Sequence, residues 1–147
     1  MKNLSTLFGP SRQNLTELFE SIETVAVIGC SSNPYRTSHH ISKYLLNNGF
    51  DIIPVNPNES EVLGIKSYPS IDDIPDDVKV DVMNIFRNKK YTDETVIEII
   101  EWADRRGQKP IIWTQLDVST DSAKSKAEEA ALTYIENRCI MVDHRSV

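Results

Sequence analysis

The residues best suited to chemistry lie between Val25 and Asn48, in the stretch VAVIGCSSNPYRTSHHISKYLLNN. An apolar run here feeds a Gly/Ser loop, and the loop feeds the start of a helix. Gly29 permits a tight turn, and small Ser31 and Ser32 leave backbone N–H groups accessible. Ser38 is a good N-cap, and Gly49 supplies a C-terminal stop. N–H groups at the positive end of a helix dipole favour an anion, above all a phosphate. Arg36 stands in the same loop, where a guanidinium can grip phosphate oxygens with a forked geometry that lysine does not match. The expected ligand is therefore nucleotide-like.

The elements that must position this loop follow from hydrophobic periodicity. Leu15, Leu18, Phe19 and Ile22 recur at helical spacing. Val25–Ile28 is a short run suited to a strand buried on both faces. A helix with Ile41, Tyr44 and Leu45 on one face follows, then strand two at Asp51–Val55. Leu63–Pro69 reads as an extended excursion, Ser70–Ile74 as a helical turn and Val80–Ile85 as strand three. Thr92 or Asp93 caps a helix whose expected buried stripe is Val96, Ile97, Ile100 and Ala103. Pro110–Thr114 is strand four, and Ser119 or Thr120 opens an alanine-faced helix. Thr133–Glu136 and Arg138–Val142 each suit a fifth strand; the first is preferred, with Asn137 capping a short terminal helix.

Strands alternating with helices predict an α/β fold: a Rossmann-like parallel five-stranded sheet, order 3-2-1-4-5, with helices on both faces. The chain, 1–147, is expected to form a single domain with a helical segment at 1–22 packed on it. Ligands of such sheets bind at the carboxyl ends of the strands. Here those ends carry Gly29–Ser38, Asn56-Pro57, Phe86-Arg87, Gln115 and Asn137-Arg138.

Composition narrows the partners. A formal net charge of −6 argues against broad nucleic-acid or acidic-membrane binding, so an anionic ligand must be held by local features. No apolar run approaches membrane-spanning length, and MKNLSTLFGPSRQNL lacks the apolar core of a signal peptide. Cys30 and Cys139 are far apart with no metal-ligand spacing, which suits reduced thiols in a cytoplasm. His39 and His40 are expected to face the sheet and solvent respectively, or the reverse, with no catalytic role; no metal site is expected. Trp102 and Trp113 are expected in the core or an interface. The Asp72–Asp77 segment reads as a solvated turn. An apolar face on the first helix leaves room for a homodimer.

Two marks of a dinucleotide site are missing. The loop reads Gly29-Cys30-Ser31-Ser32-Asn33-Pro34 and not G-x-G-x-x-G, and strand two ends in Asn56-Pro57 without the ribose-binding acid. A Walker loop is absent too.

VAVIGCSSNPYRTSHHISKYLLNNGFDIIPVNP, followed by LGIKSYPSIDDIP, VDVMNIFRN, IIWTQLDV and NRCIMVDH, resembles the small stand-alone CoA-binding domain proteins of bacteria. These are related to the nucleotide-binding domain of the succinyl-CoA synthetase α subunit. The resemblance runs from about Ser21 to the C-terminus. It implies that Gly29, Ser31, Pro34, Arg36 and Ser38 receive the pyrophosphate and phosphorylated ribose of coenzyme A. It also implies that Asn56 and Pro57 flank the adenosine, and that Phe86, Arg87 and Gln115 line the rest of the mouth.

The family's phosphorylated histidine belongs to a further domain and does not correspond to His39 or His40. The expectation is thus binding of CoA or an acyl-CoA without turnover, as carrier, sensor or regulatory module. The alternatives are a CoA-dependent transferase, a nucleotide-dependent oxidoreductase with a degenerate loop, or an interaction subunit with a vestigial pocket. Cys30 carries two readings: a space-filling buried residue, which is preferred, or a thiolate that pairs with the CoA thiol.

Overall fold

The structure, a computed structural model, describes residues 11–147; the first ten residues of the helical segment expected at 1–22 lie outside the described residues. Helix α1 (Arg12–Ser21) opens where the Ser11 hydroxyl accepts the Asn14 N–H at 3.1 Å, closing one otherwise orphaned donor. The chain then alternates β1 (Thr24–Ile28), α2 (Thr37–Asn47) and β2 (Asp51–Val55). A small antiparallel hairpin, β3 (Glu61–Val62) and β4 (Ile65–Lys66), and a 3-10 turn at Ile71–Asp73 lead into β5 (Val82–Ile85). Helix α3 (Thr92–Arg106), β6 (Ile111–Thr114), α4 (Asp121–Glu129), β7 (Tyr134–Ile135) and α5 (Ile140–Arg145) complete the fold.

The α/β, five-stranded parallel sheet with helices on both faces is as the sequence predicts. Its strand order is not. The order is β2-β1-β5-β6-β7, so Val82–Ile85, expected outside strand two, pairs with β1 on the opposite side. The cause is on the edge of β2. Tyr68 makes a parallel bridge to Val55, donating its N–H to Pro54 at 3.0 Å and accepting from Asn56 at 2.9 Å. The place expected for strand three is thus held by one residue of the Leu63–Pro69 excursion. The next true strand crosses to the free edge of β1.

Alternation along each strand divides the core in two. Ala26, Ile28, Met83, Ile85 and Ile112 face α3 and α4, meeting Val96, Ile99, Trp102, Ala123 and Ala127. Val25, Val27, Val82, Trp113 and Ile135 face α1, α2 and α5, meeting Leu15, Leu18, Phe19, Ile41, Leu45 and Ile140. Each such aliphatic or aromatic side chain contributes about 1.5–3 kcal/mol on full burial. The stripe of α3 is turned from the expected one: Ile99 and Trp102 are buried and Ile97 is exposed. The wide Trp102 ring claims the sheet side and rotates the helix toward it. Leu15, Leu18 and Phe19 are buried within the chain, so the apolar face of α1 is already covered and gives no support for a dimer.

Three caps differ from expectation. Helix α2 starts at Thr37 with Arg36 at the N-cap, and Ser38 lies in the first turn. Tyr91, at the end of a 3-10 turn, precedes α3. Asn137 adopts a left-handed conformation and accepts the Asp117 N–H at 2.9 Å, leaving Cys139 at the N-cap of α5. The Asp72–Asp77 segment is more than a solvated turn, because Asp72 and Asp76 pair with Arg105 and Arg106 at the end of α3.

Helix α5 is fixed by His144, whose ring packs edge-on against Phe19 and Phe50 at centroid distances of 5.1 and 5.3 Å. The Tyr44 hydroxyl lies 2.7 Å from its Nδ1. Burial pushes the His144 pKa below the ordinary histidine value. The unfolded chain therefore takes up this proton at higher pH than the native one, and stability falls as pH drops below about 6.5. Thermal melts between pH 7.5 and 5.5 are expected to show a shallower pH slope for His144→Gln than for the parent. Equal slopes would remove His144 from the account.

Candidate nucleotide-binding site

A cleft of about 530 Å³ opens at the carboxyl ends of β1, β2 and β5, within the usual range for small-molecule sites. Ile28, Val55, Pro57, Pro69 and Ile71 give it apolar walls, while Asn56, Ser70, Arg87, Thr95 and Glu98 add polar groups. Its inner edge depends on Gly29, which has φ +93°. A Cβ there would lie 3.3 Å from the Phe86 carbonyl carbon and 3.4 Å from Arg87 Cγ. The loops after β1 and β5 approach this closely only because that position carries no side chain.

Arg87 is held from three sides. Its Nη1 donates to Thr95 Oγ1 at 3.0 Å, Nη2 is 3.7 Å from Glu94 Oε1, and the guanidinium lies 4.5 Å from the Tyr91 ring centroid. Its side chain keeps 32% of its surface exposed, so a charged donor remains available at the cleft. Glu98 also lines the cleft, and burial raises its carboxyl pKa despite the opposing charge of Arg87.

The β1–α2 loop is more self-contained than the sequence predicts. Ser31 N–H donates to Ser38 Oγ at 3.0 Å, Asn33 N–H to Ser31 Oγ at 3.0 Å, and Tyr35 N–H to Asn33 Oδ1 at 3.0 Å. Ser32 N–H donates to the Glu59 carboxylate. The accessible donors are instead in the first turn of α2. Among the described residues the N–H groups of Thr37, Ser38 and His39 have no acceptor, as at most helix starts. Arg36 is exposed beside them, with no ion pair or side-chain hydrogen bond among the described residues. Unpaired N–H groups at the positive end of a helix dipole favour an anion.

Of the residues singled out in the sequence, Gly29, Asn56, Pro57 and Arg87 meet around the cleft. Ser31, Pro34, Arg36 and Ser38 form the adjoining loop and helix turn. Asn56 also ties loops together: Nδ2 donates to the Cys30 carbonyl at 3.0 Å and Oδ1 accepts Asn58 N–H at 2.9 Å. Phe86 and Gln115 are not in the cleft lining. Phe86 packs on the α1/α2/α5 side, opposite to Arg87. Gln115 is buried, and its Oε1 accepts from Asn84 Nδ2 at 3.1 Å and from Ile140 N–H at 3.0 Å. Arg138 is bound bidentately by Asp143 at 2.7 and 2.8 Å.

Cys30 is fully buried with Sγ 3.4 Å from Ser42 Oγ, and burial pushes its thiol pKa up. The thiolate reading therefore fails, and the space-filling one stands. His39 Nδ1 lies 2.9 Å from the Ser31 carbonyl and His40 is exposed. Trp102 and Trp113 are both core residues. Tyr91, Thr95, Glu98 and Glu59 were missed from sequence. For Glu59 a signal existed: an acid three residues beyond Asn56, which the turn at Pro57-Asn58 brings back toward β1.

Known proteins align with this arrangement. The chain is 33% identical over 135 residues to the uncharacterized protein YneT of Bacillus subtilis, covering 92% of this chain and 95% of that one. It is 30% identical over 125 residues to the α subunit of acetate–CoA ligase (ADP-forming) II of Pyrococcus furiosus, covering 84% of this chain but 26% of that longer protein. A hypothetical protein from Pyrococcus horikoshii superposes with a TM-score of 0.84 at 36% identity, over 99% of this chain and 97% of that one. The model of the CoA binding domain matches residues 23–145, from the start of β1 to the end of α5, and the chain belongs to the CoA-binding domain family.

Proposed function

We propose that this protein binds coenzyme A or an acyl-CoA through its 3′-phospho-ADP part, as a carrier, sensor or regulatory module with no chemistry of its own. In this reading the described residues form one CoA-binding unit. The observation that carries it is an apolar cleft, walled by Ile28, Val55, Pro57 and Ile71 and edged by Gly29, whose β1 edge runs on along the chain to an α2 first turn with N–H groups unpaired among the described residues. A flat heterocycle suits the first, and phosphates suit the second. Gly29 lies between them, and Arg36 and Arg87 supply a cation on each side. Family membership supports the same ligand.

Calorimetric titration with CoA, dephospho-CoA, NAD and ATP tests this directly. CoA is expected to bind best and dephospho-CoA more weakly. Arg36→Ala is expected to weaken CoA about tenfold, the loss typical of one charge-assisted hydrogen-bond pair. A preference for NAD, or no response to CoA, would overturn the proposal. Turnover of a small acyl-CoA panel by the purified protein would replace it with a transferase.

A further inference from the structure

The Glu59 carboxylate stands where a ligand's anion would be drawn. It accepts the Ser32 N–H from the loop that leads into α2, and hydrogen bonding from Ser32 holds its pKa below the ordinary glutamate value. His39, in the first turn of α2, adds a favourable charge interaction. The carboxylate is therefore ionised at neutral pH and lies against the loop that leads into α2. A second tie runs alongside it, from Asn56 Nδ2 to the Cys30 carbonyl at 3.0 Å. Together the two contacts clasp the loop after β1 to the loop after β2, across the carboxyl ends of the strands. The clasp differs in kind at its two ends. Asn56 is neutral and half-buried, whereas Glu59 brings a negative charge to a donor-rich edge.

We propose that Glu59 is an internal anion that occupies the phosphate loop while the site is empty and that an incoming ligand phosphate displaces. This rests on the phosphate-binding reading of the same loop. A phosphate that takes the Ser32 N–H must replace the Glu59 carboxylate there, and one held at Thr37–His39 feels the same negative charge from the adjoining loop. Displacement breaks one of the two ties between these loops and leaves the Asn56–Cys30 bond in place, so ligand binding is read out as movement of the Glu59 segment. Glu59 thereby sets the affinity threshold: it weakens all phosphate ligands and leaves uncharged nucleosides unaffected.

The test uses Glu59→Gln, which keeps size and a carbonyl acceptor but removes the charge, with Glu59→Ala as a second variant. Calorimetry with CoA is expected to show both variants binding about three- to fivefold more tightly than the parent, the range of exposed charge contacts. Adenosine is expected to bind all three proteins alike. In amide NMR, inorganic pyrophosphate is expected to shift Ser32 and Thr37–His39 at lower concentration in Glu59→Gln than in the parent. Unchanged or weaker CoA affinity in both variants would overturn the proposal, since it would make Glu59 a ligand contact or a loop support. If CoA fails to bind any of the proteins while pyrophosphate still binds the variant more tightly, the CoA reading falls and the Glu59 clasp stands. If pyrophosphate shifts neither protein, or shifts both alike, the clasp falls.

Discussion

Gly29→Ala is expected to lower the stability of this protein by about 2 kcal/mol, the cost of a strained left-handed position with a crowded side chain. The residue has φ +93°, and its added methyl would meet the Phe86 carbonyl carbon at 3.3 Å and Phe86 oxygen at 3.4 Å. Neither contact is to a flexible side-chain tip. Relief requires the loops after β1 and β5 to part, and this would widen the inner edge of the cleft. Gly49 provides the control: its φ is +90°, but a Cβ there has nothing within 4 Å. Gly49→Ala therefore carries only the backbone cost, about 1 kcal/mol. Urea denaturation of the two variants separates conformational strain from close approach. CoA affinity is expected to drop in Gly29→Ala and to persist in Gly49→Ala. Equal stability losses in the two would remove the close approach from the explanation.

Gln115→Ala is expected to cost about 2–4 kcal/mol, because one truncation strands two buried donors. Ile140 N–H donates to Gln115 Oε1 at 3.0 Å, and one of the two Asn84 Nδ2 hydrogens reaches it at 3.1 Å while Nδ2 also donates to the Trp113 carbonyl at 3.3 Å. Asn84 is fully buried in the middle of the sheet, and its Oδ1 already has no partner among the described residues. Ile140 begins α5, so the same change is expected to loosen that helix. Hydrogen exchange of the α5 amides should accelerate more than that of α3. The binding readout discriminates between roles. A structural Gln115 predicts lost stability with little change in the CoA affinity of the folded protein. A ligand-contacting Gln115 predicts the reverse.

These two residues show how far the sequence alone carries. Gly29 was identifiable because local order dictates its role: an apolar strand, a glycine and a helix start can be joined in few ways. The same holds for the α/β alternation, for strands β1, β2 and β6, and for the Thr120 cap, all set by neighbours a few residues apart. Gln115 was readable only as a strand-end amide. That it turns inward to serve Asn84 and α5 depends on pairing partners 31 and 25 residues away.

Tertiary structure decided the strand order for a similar reason. A one-residue bridge at Tyr68 has no periodicity to betray it, yet it fills the edge of β2 and sends Val82–Ile85 to the other side of β1. It also decided which donors at the β1–α2 loop stay open. Loop amides at Ser31, Asn33 and Tyr35 close on nearby side chains, and Ser32 closes on Glu59 from another loop, so the unpaired N–H groups are those of α2. Chain-local forces determined the elements and the β1–α2 loop. Hydrogen bonds and packing between distant segments determined the order of the sheet, the direction of each polar side chain and the shape of the cleft.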